Sequence, residues 1–100
     1  MTIRKVQESP GPQGVDERIA YVLDTEPWGG YDSDAAVVLK NGNGDDVSST
    51  KLTGSISISS DEITTPLVIS LEDKTKYRLE VLWIKDGNTF EAYCEIMGEV

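Results

Sequence analysis

The stretch Leu71-Glu-Asp-Lys-Thr75-Lys-Tyr77-Arg-Leu79-Glu-Val81-Leu-Trp83-Ile-Lys-Asp86-Gly87-Asn-Thr-Phe90-Glu-Ala92-Tyr-Cys94-Glu-Ile96 specifies two strands, the turn between them and their register. Asp86-Gly87 suits the central pair of a type I′ turn, because Gly takes a positive φ at little cost and Asp tolerates one. Counting outward from the turn sets Lys85 opposite Asn88, Trp83 opposite Phe90, Val81 opposite Ala92, Leu79 opposite Cys94 and Tyr77 opposite Ile96. One face is then apolar along its whole length. The other opposes Arg78 with Glu95 and Glu80 with Tyr93, and such cross-strand pairs contribute roughly 0.2–1 kcal/mol each. A slip of one residue would drive Arg78, Glu80, Glu91 and Glu95 into the core, so the register is firmly held. Leu82, Ile84 and Met97 are apolar on the charged face, where another layer, a loop or a partner chain could meet them.

Just upstream, Leu71, Thr75 and Tyr77 flank the turn-forming Glu72-Asp73-Lys74. This arrangement resembles the tyrosine corner of fibronectin type III and other immunoglobulin-like sandwiches. The resemblance implies that Leu71 caps the core and that the Tyr77 hydroxyl bonds back to the preceding loop.

Working outward, Arg18-Ile-Ala-Tyr-Val-Leu-Asp24 reads as a strand apolar on both faces and therefore central, and Ala35-Ala-Val-Val-Leu-Lys40 as the next. Asn41-Gly-Asn-Gly-Asp-Asp46 is a turn-rich hairpin connection, and Val47 to Thr53 is ambiguous. Ser55-Ile56-Ser57-Ile58-Ser59 alternates with its isoleucines inward. In Ile63-Thr-Thr-Pro66-Leu-Val-Ile-Ser-Leu71, Pro66 lacks a ladder donor, which predicts an edge strand or pairing on one side only around it. Thr2-Ile-Arg-Lys-Val6 could form a short edge strand, and two prolines and two glycines in Ser9-Pro-Gly-Pro-Gln-Gly14 then exclude a helix or central strand. The organisation expected is an N-terminal arm and linker, residues 1–14, followed by one domain over residues 15–100. About seven strands at spacings of roughly ten residues, with no helical period between them, predict an all-β antiparallel sandwich. Joined to the tyrosine-corner resemblance, this becomes a single immunoglobulin-like β-sandwich.

The chain has 100 residues and a formal net charge of −9, of which −6 falls between residues 15 and 50. That surface repels phosphates and anionic lipid heads, so neither nucleic acid nor a membrane is an expected partner. No apolar run approaches the ~20 residues of a membrane span, and Met1-Thr-Ile-Arg-Lys lacks the apolar segment of a signal peptide. Cys94 is the single cysteine and, facing inward, reads as an inert core residue.

There is no histidine, which removes the commonest general base and the Ser-His nucleophile arrangements. With eighteen acidic residues, chance carboxylate pairs are abundant, and no enzyme activity is expected. Asn41-Gly-Asn43-Gly-Asp45-Asp46 superficially resembles the start of a calcium loop, but Asp46 and Leu52 stand where such a loop needs glycine and an acidic ligand. Asp32-Ser-Asp34, near Asp24 and Glu26, is a second oxygen-rich spot that could hold calcium weakly. The reading is nevertheless of a chain with no metal and no cofactor. Trp28-Gly29-Gly30-Tyr31 offers two large amphipathic aromatics on a glycine-flexed loop, so Trp28 and Tyr31 are the candidate ligand- or partner-binding residues. In the competing reading Trp28 closes one end of the sandwich and Tyr31 packs beside it. Leu71, Thr75, Tyr77, Asp86 and Gly87 are the expected structural residues.

From Glu17-Arg-Ile-Ala-Tyr-Val-Leu-Asp24 through Pro27-Trp-Gly-Gly30, Gly54-Ser-Ile-Ser-Ile58 and Ile63-Thr-Thr-Pro-Leu67 to Gly87-Asn-Thr-Phe-Glu-Ala-Tyr93, the order of pieces resembles small immunoglobulin-like proteins of phage and prophage virions. The resemblance implies a non-enzymatic tail, neck or capsid-surface subunit. It would be made in the bacterial cytoplasm, reside in the virion and contact other virion proteins or copies of itself as a homo-oligomer. The arm would suit strand exchange between subunits. The alternative is a ligand- or carbohydrate-binding module using Trp28 and Tyr31.

Overall fold

The computed structural model describes residues 11–100 and the backbone of Arg4 and Lys5. In chain order the elements are β1 (Arg4–Lys5), β2 (Gln13–Gly14), β3 (Val22–Asp24), a 3-10 turn at Glu26–Trp28, β4 (Ser33–Lys40), a single helical turn α1 (Ser48–Lys51), β5 (Leu52–Thr53), β6 (Ser57–Ser59), β7 (Glu62–Thr64), β8 (Leu67–Val68), β9 (Lys76–Lys85) and β10 (Asn88–Glu99). The ambiguous Val47–Thr53 stretch thus divides into α1 and β5.

β9 and β10 form the hairpin, with Phe90 opposite Trp83, Ala92 opposite Val81, Cys94 opposite Leu79 and Ile96 opposite Tyr77. This is the register counted from the turn. Asp86 and Gly87 both take positive φ, 53° and 77°, as a type I′ turn demands. β4 lies antiparallel on the free side of β9, giving the order β1-β10-β9-β4. β1 and β2 both run parallel to β10 at different heights, with Arg4 beside Ala92 and Gln13 beside Gly98.

The second layer is the sheet β3-β7-β6 and the short pair β5-β8, linked through a bridge between Ile19 and Val68. From Val22↔Thr64 to Ile19↔Val68, three residues on one strand face four on the other, so the β7–β8 strand bulges at Thr65-Pro66. Thr65 holds the ladder together there. Its N–H donates to the Tyr21 carbonyl at 2.8 Å, and its Oγ1 accepts the Tyr21 N–H at 3.0 Å and donates to the Pro66 carbonyl at 2.8 Å. β7 and β8 each have a neighbour on both flanks, so the strand is not at an edge, while around Pro66 itself the pairing is on one side only, to Tyr21 through Thr65.

Inward side chains of both layers meet in two clusters that share Val37. One gathers Leu39, Val68, Leu71, Tyr77, Leu79 and Ile96; the other gathers Ile63, Val81, Trp83 and Ala92. The molecule is thus an all-β sandwich. Two expectations fail at its margins. β3 is an outer strand and not a central one, with Val22 59% exposed and Ala20 exposed. Ile58 on outer β6 is 39% exposed although its cross-strand partner Ile63 is fully buried. In both places the strand has the right alternation but lacks a neighbour or facing layer to cover it.

Candidate interaction site

Trp28 and Tyr31 lie where the loop after β3 meets the end of the hairpin. Thr25 begins this loop fully buried, its N–H and Oγ1 both donating to the Asp61 carbonyl at 2.9 and 2.7 Å. Its carbonyl accepts from Trp28 and Gly30 N–H, closing a 3-10 turn with Pro27 in its first residues. Gly29 and Gly30 then take φ of 99° and 102°, which an L side chain rarely adopts, and a Cβ on Gly30 would stand 2.9 Å from Asp61 Oδ1. That same Oδ1 accepts the Tyr31 N–H at 3.2 Å. The two glycines therefore serve a fixed turn, and the loop expected to flex is sewn to its neighbour.

The rings are anchored as well. Trp28 lies 5.6 Å from Trp83, centroid to centroid and tilted by 51°, while Trp83 stacks on Phe90 at 5.8 Å. Tyr31 packs against the same cluster, and both loop aromatics are half-buried. Trp83 is fully buried, and among the described residues its Nε1 has no hydrogen-bond acceptor. Asp32 ties the loop to the hairpin tip, accepting from Asp86 N–H at 2.8 Å and from Lys85 Nζ at 3.1 Å. The Asp86 N–H first, and then Lys85, hold the Asp32 carboxyl below the usual range; Asp32 in turn raises the Lys85 ammonium above its own. Sequence reasoning missed Asp32 and Asp61 as partners of this loop. Their signal was confined to acidic residues in turns, with nothing to show which backbone amides they would face.

Of the structural residues, Asp86 and Gly87 form the hairpin tip beside this loop, and Leu71, Thr75 and Tyr77 lie at the opposite end. The Tyr77 hydroxyl, 1% exposed as a residue, accepts the Glu72 N–H at 2.9 Å beneath buried Leu71, while Thr75 Oγ1 donates to the Asp73 carbonyl. Gly98 is buried against this turn, its N–H donating to the Thr75 carbonyl and its carbonyl accepting the Lys74 N–H; a Cβ there would collide with the Glu72 carbonyl.

Near this corner the incoming chain is fastened by Gln13, which is fully buried. Its Nε2 donates to the carbonyls of Val68 and Glu17 at 2.8 and 3.1 Å, and its Oε1 accepts the Tyr21 hydroxyl at 2.6 Å. Burial, then Cys94 and Glu17, push the Tyr21 hydroxyl up to about 12. Cys94 packs against the core, and burial, then Glu95, push its thiol up to about 11. A thiol held that far from ionisation is a poor nucleophile.

On the outer face of the first sheet, a groove of about 500 Å³ collects Lys40, Lys76, Arg78, Glu80 and Glu95. Lys40 and Arg78 pair with Glu80 at 3.3 and 2.9 Å, Lys76 pairs with Glu95 at 3.8 Å, and Arg78 lies 3.8 Å over the Tyr93 ring. Beside it, Asn41 Oδ1 accepts the N–H groups of Asn43 and Asp45, and Asp46 Oδ1 accepts that of Ser48. These oxygens organise the loop's own backbone. Among the described residues, no three His, Cys, Asp or Glu side chains gather as a metal site.

No family model, no curated protein and no solved structure matches this chain.

Proposed function

We propose that this chain is a non-enzymatic structural subunit of a phage or prophage particle, an immunoglobulin-like sandwich that acts through contacts with copies of itself or with other virion proteins. The observation that carries this reading is the edge of β10, which pairs in parallel with two separate N-terminal segments, Arg4–Lys5 and Gln13–Gly14. An edge that takes strands from its own arm can take the same strands from a neighbour, and such exchange builds symmetric assemblies. The strand order, β3-β7-β6 facing β10-β9-β4 with N-terminal segments parallel on β10, supports the immunoglobulin-like part. The acidic surface disfavours nucleic acid as the partner. The carbohydrate-binding alternative is weakened by Trp28, whose ring is engaged with Trp83 instead of standing free as a stacking platform.

Size-exclusion chromatography with light scattering tests the proposal. A defined oligomer is expected, and Lys5→Pro, which removes a donor from β1, should shift it toward monomer. A strict monomer whose Trp28→Ala variant loses glycan binding would overturn the proposal in favour of the binding module.

A further inference from the structure

The loop joining β4 to α1 contains two asparagine-glycine pairs, Asn41-Gly42 and Asn43-Gly44. In such a pair the glycine amide nitrogen attacks the asparagine Cγ, forming a C–N bond as the Cγ–Nδ2 bond breaks and ammonia leaves with the amide proton. The resulting succinimide then takes up water at either carbonyl and opens to aspartate or isoaspartate. No oxidant or cofactor is needed, and glycine permits the reaction because it has no Cβ to block the approach.

The fold treats the two pairs differently. Asn41 is held at four points: its N–H donates to the Asp45 carbonyl at 2.9 Å, its carbonyl accepts the Gly44 N–H at 3.0 Å, and its Oδ1 accepts the N–H groups of Asn43 at 2.9 Å and Asp45 at 3.1 Å. The amide that must receive Gly42 nitrogen is directed at the backbone of residues 43 and 45. Asn43, by contrast, is exposed, and its side chain makes no hydrogen bond among the described residues. Gly44 sits in open space, and its nitrogen has one bond to release, the one to the Asn41 carbonyl. Two bonds on the Asn41 amide oxygen, against one on the Gly44 nitrogen, decide the order.

We infer that Asn43 is a site of spontaneous covalent modification, cyclising onto the Gly44 nitrogen and opening to aspartate and isoaspartate, while Asn41 in the same loop is protected by its hydrogen bonds. The product would carry one more negative charge beside Asp45 and Asp46, and isoaspartate would also lengthen the backbone within the turn.

The test is to age the intact protein at mildly alkaline pH and map the tryptic fragment from Asn41 to Lys51 by mass spectrometry, with fragmentation to place the converted residue. Conversion at Asn43 should run about tenfold ahead of Asn41, the ratio set by roughly one net hydrogen bond more to break at Asn41. In strong denaturant the two sites should convert at similar rates, since both then are unconstrained asparagine-glycine pairs. Equal rates in the folded protein, or Asn41 leading, would overturn the inference. So would a preference for Asn43 that persists in denaturant, because the fold would then not be its cause. Asn43→Ser, at an exposed side chain without partners, should abolish the early product and leave Asn41 slow; an early product that remains would also overturn it.

Discussion

β9 and the stretch from β6 to β8 both alternate apolar with polar residues, yet they are stabilised by different means. In β9, Tyr77, Leu79, Val81 and Trp83 are all at most 6% exposed, and the strand has a neighbour on each side along most of its length. In the second layer the strands are three residues or shorter, and continuity past Pro66 depends on the Thr65 hydroxyl and on Gln13 reaching the Val68 carbonyl. The first region is held by apolar packing along a ladder that is continuous with β10 and shifts register against β4 between Ser33 and Ala36. In the second, single polar side chains bridge the gaps in a broken one. Regular alternation yields burial only where a covering layer exists.

The comparison can be tested from its strongest member downward. Trp83→Ala empties the most voluminous fully buried side chain and should cost about 3–5 kcal/mol in urea melts. A loss below about 1 kcal/mol would show that the hairpin's packing is not what holds the sandwich. Within the second layer, Ile63→Ala should cost about 2–4 kcal/mol and Ile58→Ala under about 1 kcal/mol, despite their being cross-strand partners. Equal losses would contradict the difference in burial. Gln13→Ala leaves the Val68 and Glu17 carbonyls and the Tyr21 hydroxyl short of a partner, so a loss of about 1–3 kcal/mol is expected. If it melts like the parent, the polar stitch is ornamental. Tyr77→Phe removes one buried hydrogen bond in the otherwise apolar end of the hairpin and should cost about 1 kcal/mol.

The smallest effect belongs to Asp32, an exposed carboxylate. Its folded pKa lies below the ordinary value, so its contribution is present above the usual carboxyl range and fades as pH falls through the depressed folded value. Asp32→Asn should therefore lower the melting temperature slightly at neutral pH, leave it unchanged below the depressed folded value, and so flatten part of the acid limb of the profile. A parallel downward shift at every pH would mean that the residue acts through packing instead of charge.

The hairpin was legible because the Asp86-Gly87 turn fixes register and a period of two then assigns every face. The bond from the Tyr77 hydroxyl back to the loop beneath Leu71 is what the resemblance to a tyrosine corner implies. What escaped were properties of neighbours. Val22 read as covered because a strand apolar on both faces read as central, and Ile58 read as inward from its alternation; neither pattern says which strand will lie outermost. The one-sided pairing at Pro66 was legible as a lost donor, whereas the Thr65 hydroxyl that accepts the Tyr21 N–H depends on Tyr21 arriving from 44 positions away. Trp28 and Tyr31 were identifiable as a pair of loop aromatics. Their seating against Trp83 and the lacing to Asp61 depend on contacts between segments distant in sequence.

The Trp28–Trp83 contact also gives the molecule an optical signature. Two indoles at 5.6 Å and 51° are close enough to couple their electronic transitions, so an exciton couplet is expected in the far-ultraviolet circular dichroism. That signal requires the loop to be docked. Its fading ahead of the bulk strand signal on heating would reveal the loop lifting away from an otherwise intact sandwich.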